Sequence, residues 1–308
     1  MVAVDTFLTP LDVLVDDFCL RSLPPAPPPG PQAALSRSAV VTLALCGPWP
    51  GFGRERGFDR SAPRQLRAAC PQLPPREQDK RQGRQPPLAL GAFLLSLVHL
   101  LAAQRGASEA RASAGGPTRD AQRRGAGGRP GLAALGGSHR RGWYAGVPLL
   151  RAVTPGGVST GCGVGAARPK EQPLAETFFA RRRQPPPGWA RVGAPAPSPS
   201  SVDQGFEGQA HQRTGWTTYG AQVIGPPTRN SQTPWPKPRR RWLAGVRQRV
   251  ETVHDKLQHP CRLARERPHA LSGLPARLAA TSAWHNFGMW LHEQRGRPRL
   301  ACMDLVDW

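Results

Sequence analysis

Asp203 and Glu251 are the residues whose types and order best suit metal-assisted chemistry. Asp203 follows Val202 and opens a turn, Asp203-Gln204-Gly205-Phe206-Glu207-Gly208, and Glu251 comes 48 residues later in an arginine-rich amphipathic stretch. Carboxylates are hard oxygen ligands, and three of them can hold two Mg²⁺ ions with positions left open for water and phosphate. Such a pair of ions deprotonates a water or 3′-hydroxyl and stabilises the leaving oxygen when a phosphodiester is cut and rejoined. An aspartate at a strand end and a glutamate on a later helix converge well, because strand termini of α/β sheets are where sites assemble. The spacing alone does not select this chemistry. Arg247 precedes Glu251 by four residues, which is equally the pattern of an i,i+4 ion pair on a solvated helix face.

The basic residues point to a polyanion. Net charge is +22, with four lysines against 38 arginines, and the clusters Arg181-Arg182-Arg183 and Arg239-Arg240-Arg241 are the densest. Each cluster, with Arg247, is suited to neutralising phosphates, and nucleic acid is the partner such charge selects. Trp235, between Pro234 and Pro236, is a candidate for base contact, with packing in a turn as the alternative. With 36 prolines and 34 glycines alongside, GC-rich coding DNA accounts for part of the arginine excess. The histidines His211, His254, His259 and His285 show no metal-site spacing.

The six cysteines, at 19, 46, 70, 162, 261 and 302, form no Cys-x-x-Cys pair and read as reduced thiols of a cytoplasmic protein. The first 20 residues hold Asp5, Asp12, Asp16 and Asp17 and lack the basic region of a signal peptide. The apolar run over 88–103 is short of the ~20 residues that cross a bilayer and contains Ser96 and His99, so a buried core helix is expected and no membrane partner.

These groups need elements to position them. Residues 11–20 read as a helix, Pro24 to Pro31 as loop or polyproline II, and Ser36-Arg37-Ser38 as caps for a helix over 39–45. These two helices suit either a helix-turn-helix-like DNA-binding module or packing on a larger domain. Residues 104–141, rich in Gly and Arg without periodicity, read as disordered. Trp143–Val153 and Val158–Val164 flank Thr154-Pro155-Gly156-Gly157, a hairpin signal. A short helix over 173–180, a Pro/Ser-rich loop over 184–201, a strand end at Val202-Asp203 and a strand over 219–224 follow. A helix over about 240–257 places Trp242, Val246, Val250, Val253 and Leu257 on one stripe. Trp284, Phe287 and Leu291 stripe a last helix and read as core.

Val202 to Gly208, Pro234-Trp235-Pro236-Lys237 and Arg247 to Leu257 together resemble the transposases of bacterial insertion sequences, DDE enzymes with an RNase H-like catalytic domain. Gly142-Trp143-Tyr144, Gln172 to Ala180, Arg297 to Leu300, Asp5 to Thr9 and Val15 to Cys19 are similar as well. The resemblance implies an α/β fold: an RNase H-like mixed sheet flanked by helices, after a small helical N-terminal region, with disordered Pro/Arg/Gly-rich segments. It divides the chain into a helical region at 1–70 that suits a DNA-binding helix-turn-helix, a degraded or disordered segment at 71–141 that includes the helix near 88–103, and the catalytic domain at 142–308. Asp203 and Glu251 would bind two Mg²⁺ ions, while Arg239, Arg240, Arg241, Arg247 and Trp235 would contact DNA. The partners implied are transposon ends and target DNA, with a homodimer in a synaptic complex.

One departure bears on activity. The family's first catalytic Asp stands eight residues before the Asp of a Pro-x-Arg-Asp segment, which here is Pro117-Thr118-Arg119-Asp120. Counting back gives Ala112, so the triad is incomplete unless Glu109 or Asp120 substitutes. The expectation is a transposase whose present copy is inactive. The alternatives are a non-catalytic DNA-binding remnant and a poorly folded arginine-rich polypeptide that binds nucleic acid without specificity.

Overall fold

The computed structural model describes residues 4–24, 35–48, 87–105, 113–119, 134–138, 142–146, 148–164, 175–180, 200–201, 213, 217–218, 223–224, 234–261, 263 and 273–304. Among them helix predominates over strand, and both are present.

Helix α1 (Val4–Ser22) buries Phe7, Leu8, Leu11, Val15 and Phe18, a stripe at the three- and four-residue steps that bring side chains to one face. Asp5 in its first turn and Arg21 in its last complement the helix dipole. Helix α2 (Arg37–Cys46) starts at Ser36, whose hydroxyl accepts from the Ala39 N–H at 3.1 Å. This satisfies one of the four donors every helix start leaves open. The Thr42 hydroxyl donates to Asp12 at 3.3 Å and ties α2 to α1.

The apolar run forms α3 (Pro87–Arg105), which buries Leu90, Phe93, Leu94, Leu97, Val98 and Leu101. Its partner is the last long helix, α5 (Gly273–Gln294), buried along nearly its whole length from Leu278 to His292. A helix apolar on all sides has to be wrapped by others. Here α1 supplies wrapping through Phe7, edge-on to Phe287 of α5 at 4.9 Å, and Phe18, against Phe93 of α3 at 5.3 Å, and α2 packs on the same two helices. Each such ring removes enough apolar surface from water to stabilise by about 1.5–3 kcal/mol. No described helix is long and apolar enough to cross a membrane.

The strands are β1 (Ser113–Arg119), β2 (Ala134–Ser138), β3 (Gly142–Gly146), β4 (Pro148–Val153), β5 (Ser159–Val164), β6 (Ser200–Ser201) and β7 (Val223–Ile224). Five of them form one sheet in the order β5-β4-β1-β6-β7, with β5, β4 and β1 antiparallel and β1, β6 and β7 parallel. The remaining two pair with each other. The hairpin expected around Thr154–Gly157 is β4–β5. Residues 142–146, expected to be continuous with its first strand, instead form β3 and pair with β2.

Strands β1 and β2 lie in the glycine-rich segment where no periodicity was legible. Pro117 in β1 stands opposite Leu150, and among the described residues β6 covers only Ser113 and Ala114. Among the described residues the far side of β1 at Pro117 has no strand partner, and an unpaired position is one where a residue without an N–H is tolerated.

Strand β4 shows how the sheet is covered. Leu149 and Val153 join the main helical core, while the alternate Leu150 and Ala152 pack with Ala175 and Phe178 of the short helix over 175–180. On β5, a Cβ at Gly161 would sit 3.2 Å from the Phe178 ring, so glycine lets ring and strand approach closely.

Candidate nucleic-acid interface

The helix carrying most of the sequence-predicted site residues is α4 (Lys237–Gln258). Pro236 is its N-cap and Pro238 lies in its first turn; neither has an N–H, so the open helix start has fewer orphan donors. The Arg240 N–H is bonded to the Pro236 carbonyl at 3.2 Å. No side chain caps this end and no acidic residue stands in its first turn. From Lys237 to Arg249 the helix carries six cations, Lys237, Arg239, Arg240, Arg241, Arg247 and Arg249, and no carboxylate. Cations at a helix N-terminus oppose the dipole by roughly 0.3–1 kcal/mol each. An anion docked here would relieve that repulsion.

Leu243, Val246, Val253, His254 and Leu257 are the buried side of α4, which packs against β1, β4 and α5. The stripe expected through Trp242 is therefore turned by one residue. Leu243 is 5% exposed, whereas Trp242 is 47% exposed. Adjacent apolar residues at 242 and 243 allow either phase, and the floor under the helix selects the smaller, fully aliphatic one.

Arg239, Arg240, Arg241 and Arg247 are all exposed. Arg239 places its guanidinium 4.0 Å from the centroid of the Trp235 ring, a cation–π contact that covers one face of that indole. Arg249 donates to the Pro155 carbonyl and joins α4 to the β4–β5 turn.

Glu251 is exposed on α4. At about 100° per residue it shares a face with Arg247 and Arg240, four and eleven residues before it, and lies well round the helix from the buried stripe. Asp203, Glu109, Ala112 and Asp120 lie outside the described residues, as do Arg181, Arg182 and Arg183. Among the described residues no group of three or more His, Cys, Asp or Glu side chains could hold a metal ion.

Beneath α4, the interface of β4, β5 and α5 holds a buried polar cluster that sequence reasoning did not single out. Asn286 accepts from the Ser159 N–H at 2.9 Å and donates to the Ser159 carbonyl at 2.8 Å. His285 Nε2 lies 3.0 Å from the Gly157 carbonyl, so this nitrogen carries the proton and donates. Burial lowers the His285 pKa to about 4, with the Gly157 bond opposing and the charges of Arg151 and Lys256 adding to the shift. Arg151 is fully buried. Burial pushes the Cys162 thiol up, against opposing effects from Arg151 and a hydrogen bond with Ser282. Cys19, half-buried beside Asp16, is raised to about 11, by burial first and Asp16 second, against Arg37. Neither cysteine has the low pKa of a reactive thiolate. Cys19 and Cys162 are free thiols. The only sequence signal of the cluster was the pair His285-Asn286 interrupting the apolar stripe of Trp284 and Phe287.

Comparison with known proteins adds no relative: no family model, curated protein or solved structure matches the chain.

Proposed function

We propose that this chain is a DNA-binding protein of the insertion-sequence transposase type, built on an RNase H-like sheet and acting on the ends of its own element in the cytoplasm. The observation that carries this reading is the mixed sheet with α4 laid against it. An antiparallel hairpin stands beside strands that run parallel to β1, and the helix packed on β1 and β4 bears both Glu251 and the run of six cations. Mixed strand direction with a carboxylate-bearing helix on the sheet is the arrangement the resemblance implies.

In this reading Arg240, Arg241 and Arg247 hold phosphates, and Asp203 and Glu251 are the Mg²⁺ ligands. Asp203 follows β6 by two residues in the sequence. With Ala112 at the position of the first family Asp, two carboxylates remain where the chemistry asks for three. A metal is then short of a ligand and the phosphoryl transition state short of charge neutralisation. DNA recognition without strand transfer is the function this leaves.

The test is a binding titration of the full chain against duplexes carrying the inverted repeats that flank its gene, with scrambled duplexes as control. Preference for the repeats, weakened when Arg240 and Arg241 are changed to Ala, supports the reading. Equal affinity for both duplexes at all salt concentrations would reduce it to a nonspecific polycation.

A further inference from the structure

We infer that Trp242 is a stacking platform for an unpaired base, so that the α4 surface binds single-stranded DNA as well as the duplex phosphates assigned above. The inference rests on the proposed DNA-binding role of α4 and adds a base-contacting residue to it.

Three observations converge on Trp242. Its ring is 47% exposed although a buried position lies next to it in the helix, taken by Leu243. A single exposed indole is ordinary on a protein surface, so what stands around it decides its use. Trp235, the other tryptophan nearby, already has one ring face occupied by Arg239, which leaves Trp242 as the more open aromatic of this helix.

The second observation is the helix face around it. Pro238, Gly245 and Arg249 stand four before, three after and seven after Trp242, on the same side of α4. A Cβ built at Gly245 meets no described atom within 4 Å. Among the described residues, packing gives no reason for a residue that costs a helix interior roughly 1 kcal/mol relative to Ala. Among the described residues, the glycine leaves open space beside the indole, the clearance a flat base needs.

The third is charge. Arg239, Arg240 and Arg241 immediately precede Trp242, and no carboxylate occurs from Lys237 to Val250. A second apolar protein surface would find no complement in that field, whereas a nucleotide supplies an anionic phosphate for the arginines and a π-face for the indole. Cationic tracks interleaved with aromatic rings are how unpaired strands are held, because every base has a face to stack.

The experiment is a fluorescence-anisotropy titration of the full chain with a labelled single strand of mixed sequence and with its duplex, for the parent, Trp242→Ala, Trp242→Phe and the Arg240→Ala/Arg241→Ala double variant. Trp242→Ala is expected to weaken single-strand binding about tenfold or more while leaving duplex binding within twofold, with Trp242→Phe restoring most of the loss. The double arginine variant is expected to weaken both and to flatten the salt dependence by close to one unit per lost contact. If Trp242→Ala leaves single-strand affinity unchanged, or weakens both substrates equally, the stacking role is overturned. So it is if the variant's only effect is loss of a dimer by light scattering. Failure of the DNA-binding assignment itself would show separately, as an arginine variant that binds duplex like the parent.

Discussion

Asn286, in the middle of α5, hydrogen-bonds both the N–H and the carbonyl of Ser159 at the start of β5. A helix side chain thus serves a strand residue as a neighbouring strand would. Both residues are fully buried, so neither backbone group has water as an alternative. Asn286→Ala leaves a buried donor and a buried acceptor unpaired, each costing about 1–3 kcal/mol. Urea unfolding should place the variant about 2–5 kcal/mol below the parent, and Asn286→Asp, which loses the donor and adds a buried charge, should be no better. A loss under 1 kcal/mol for Asn286→Ala would mean that the strand finds other partners.

His285 sets a pH dependence. Its folded pKa of about 4 lies below the ordinary value of 6.5, so the unfolded chain takes up the proton first as pH falls. The sign follows: the neutral imidazole's contribution is intact above pH 6.5 and is lost progressively between 6.5 and 4, by about 3 kcal/mol in all. Denaturant midpoints from pH 7.5 to 4.5 should decline more steeply for the parent than for His285→Gln, which can still donate to the Gly157 carbonyl and does not titrate. Parallel curves would remove His285 from the account.

Gly157 closes the β4–β5 turn at φ +94°, and a Cβ there would come 2.8 Å from Leu300 Cδ2. Alanine at 157 incurs the left-handed backbone penalty of roughly 1–3 kcal/mol and a clash that a leucine terminus can partly relieve. Thermal melts should show Gly157→Ala well below the parent. Leu300→Ala in the same background should recover only the steric part, and full recovery would mean that the backbone carries no strain.

Binding and cleavage should separate at Asp203. Arginines supply affinity and carboxylates supply chemistry, so Asp203→Ala should shift end-bearing DNA in gels as the parent does. The unaltered chain should yield little or no Mg²⁺-dependent strand-transfer product. Robust product would show that Glu109 or Asp120 serves as the missing ligand.

Restoring the family residue by Ala112→Asp should not rescue cleavage. Residues 110–116, Ala-Arg-Ala-Ser-Ala-Gly-Gly, lack the β-branched and aromatic side chains that would hold an introduced carboxylate still. Strand-transfer product from Ala112→Asp at a rate well above the parent's would overturn this expectation.

Periodicity and capping carried the helices. The apolar run over 88–103 read as a buried helix, Ser36 announced α2, and the stripe through Val246, Val253 and Leu257 announced α4, because each depends on residues within a turn or two of one another. The Thr154–Gly157 turn marked the hairpin for the same local reason. The rest is non-local. Strand β1 has no apolar alternation, and it exists through its ladders with β4 and β6, which come from far along the chain. The choice between Trp242 and Leu243 for the buried face of α4 was open in the sequence, where both are apolar neighbours, and was closed by the floor that β1, β4 and α5 present. Asn286 and His285 read as polar interruptions of a core stripe. Only the backbone groups of Ser159 and Gly157, more than a hundred residues away, turn them into hydrogen-bond partners, since a buried polar group is tolerable only where the fold supplies its complement.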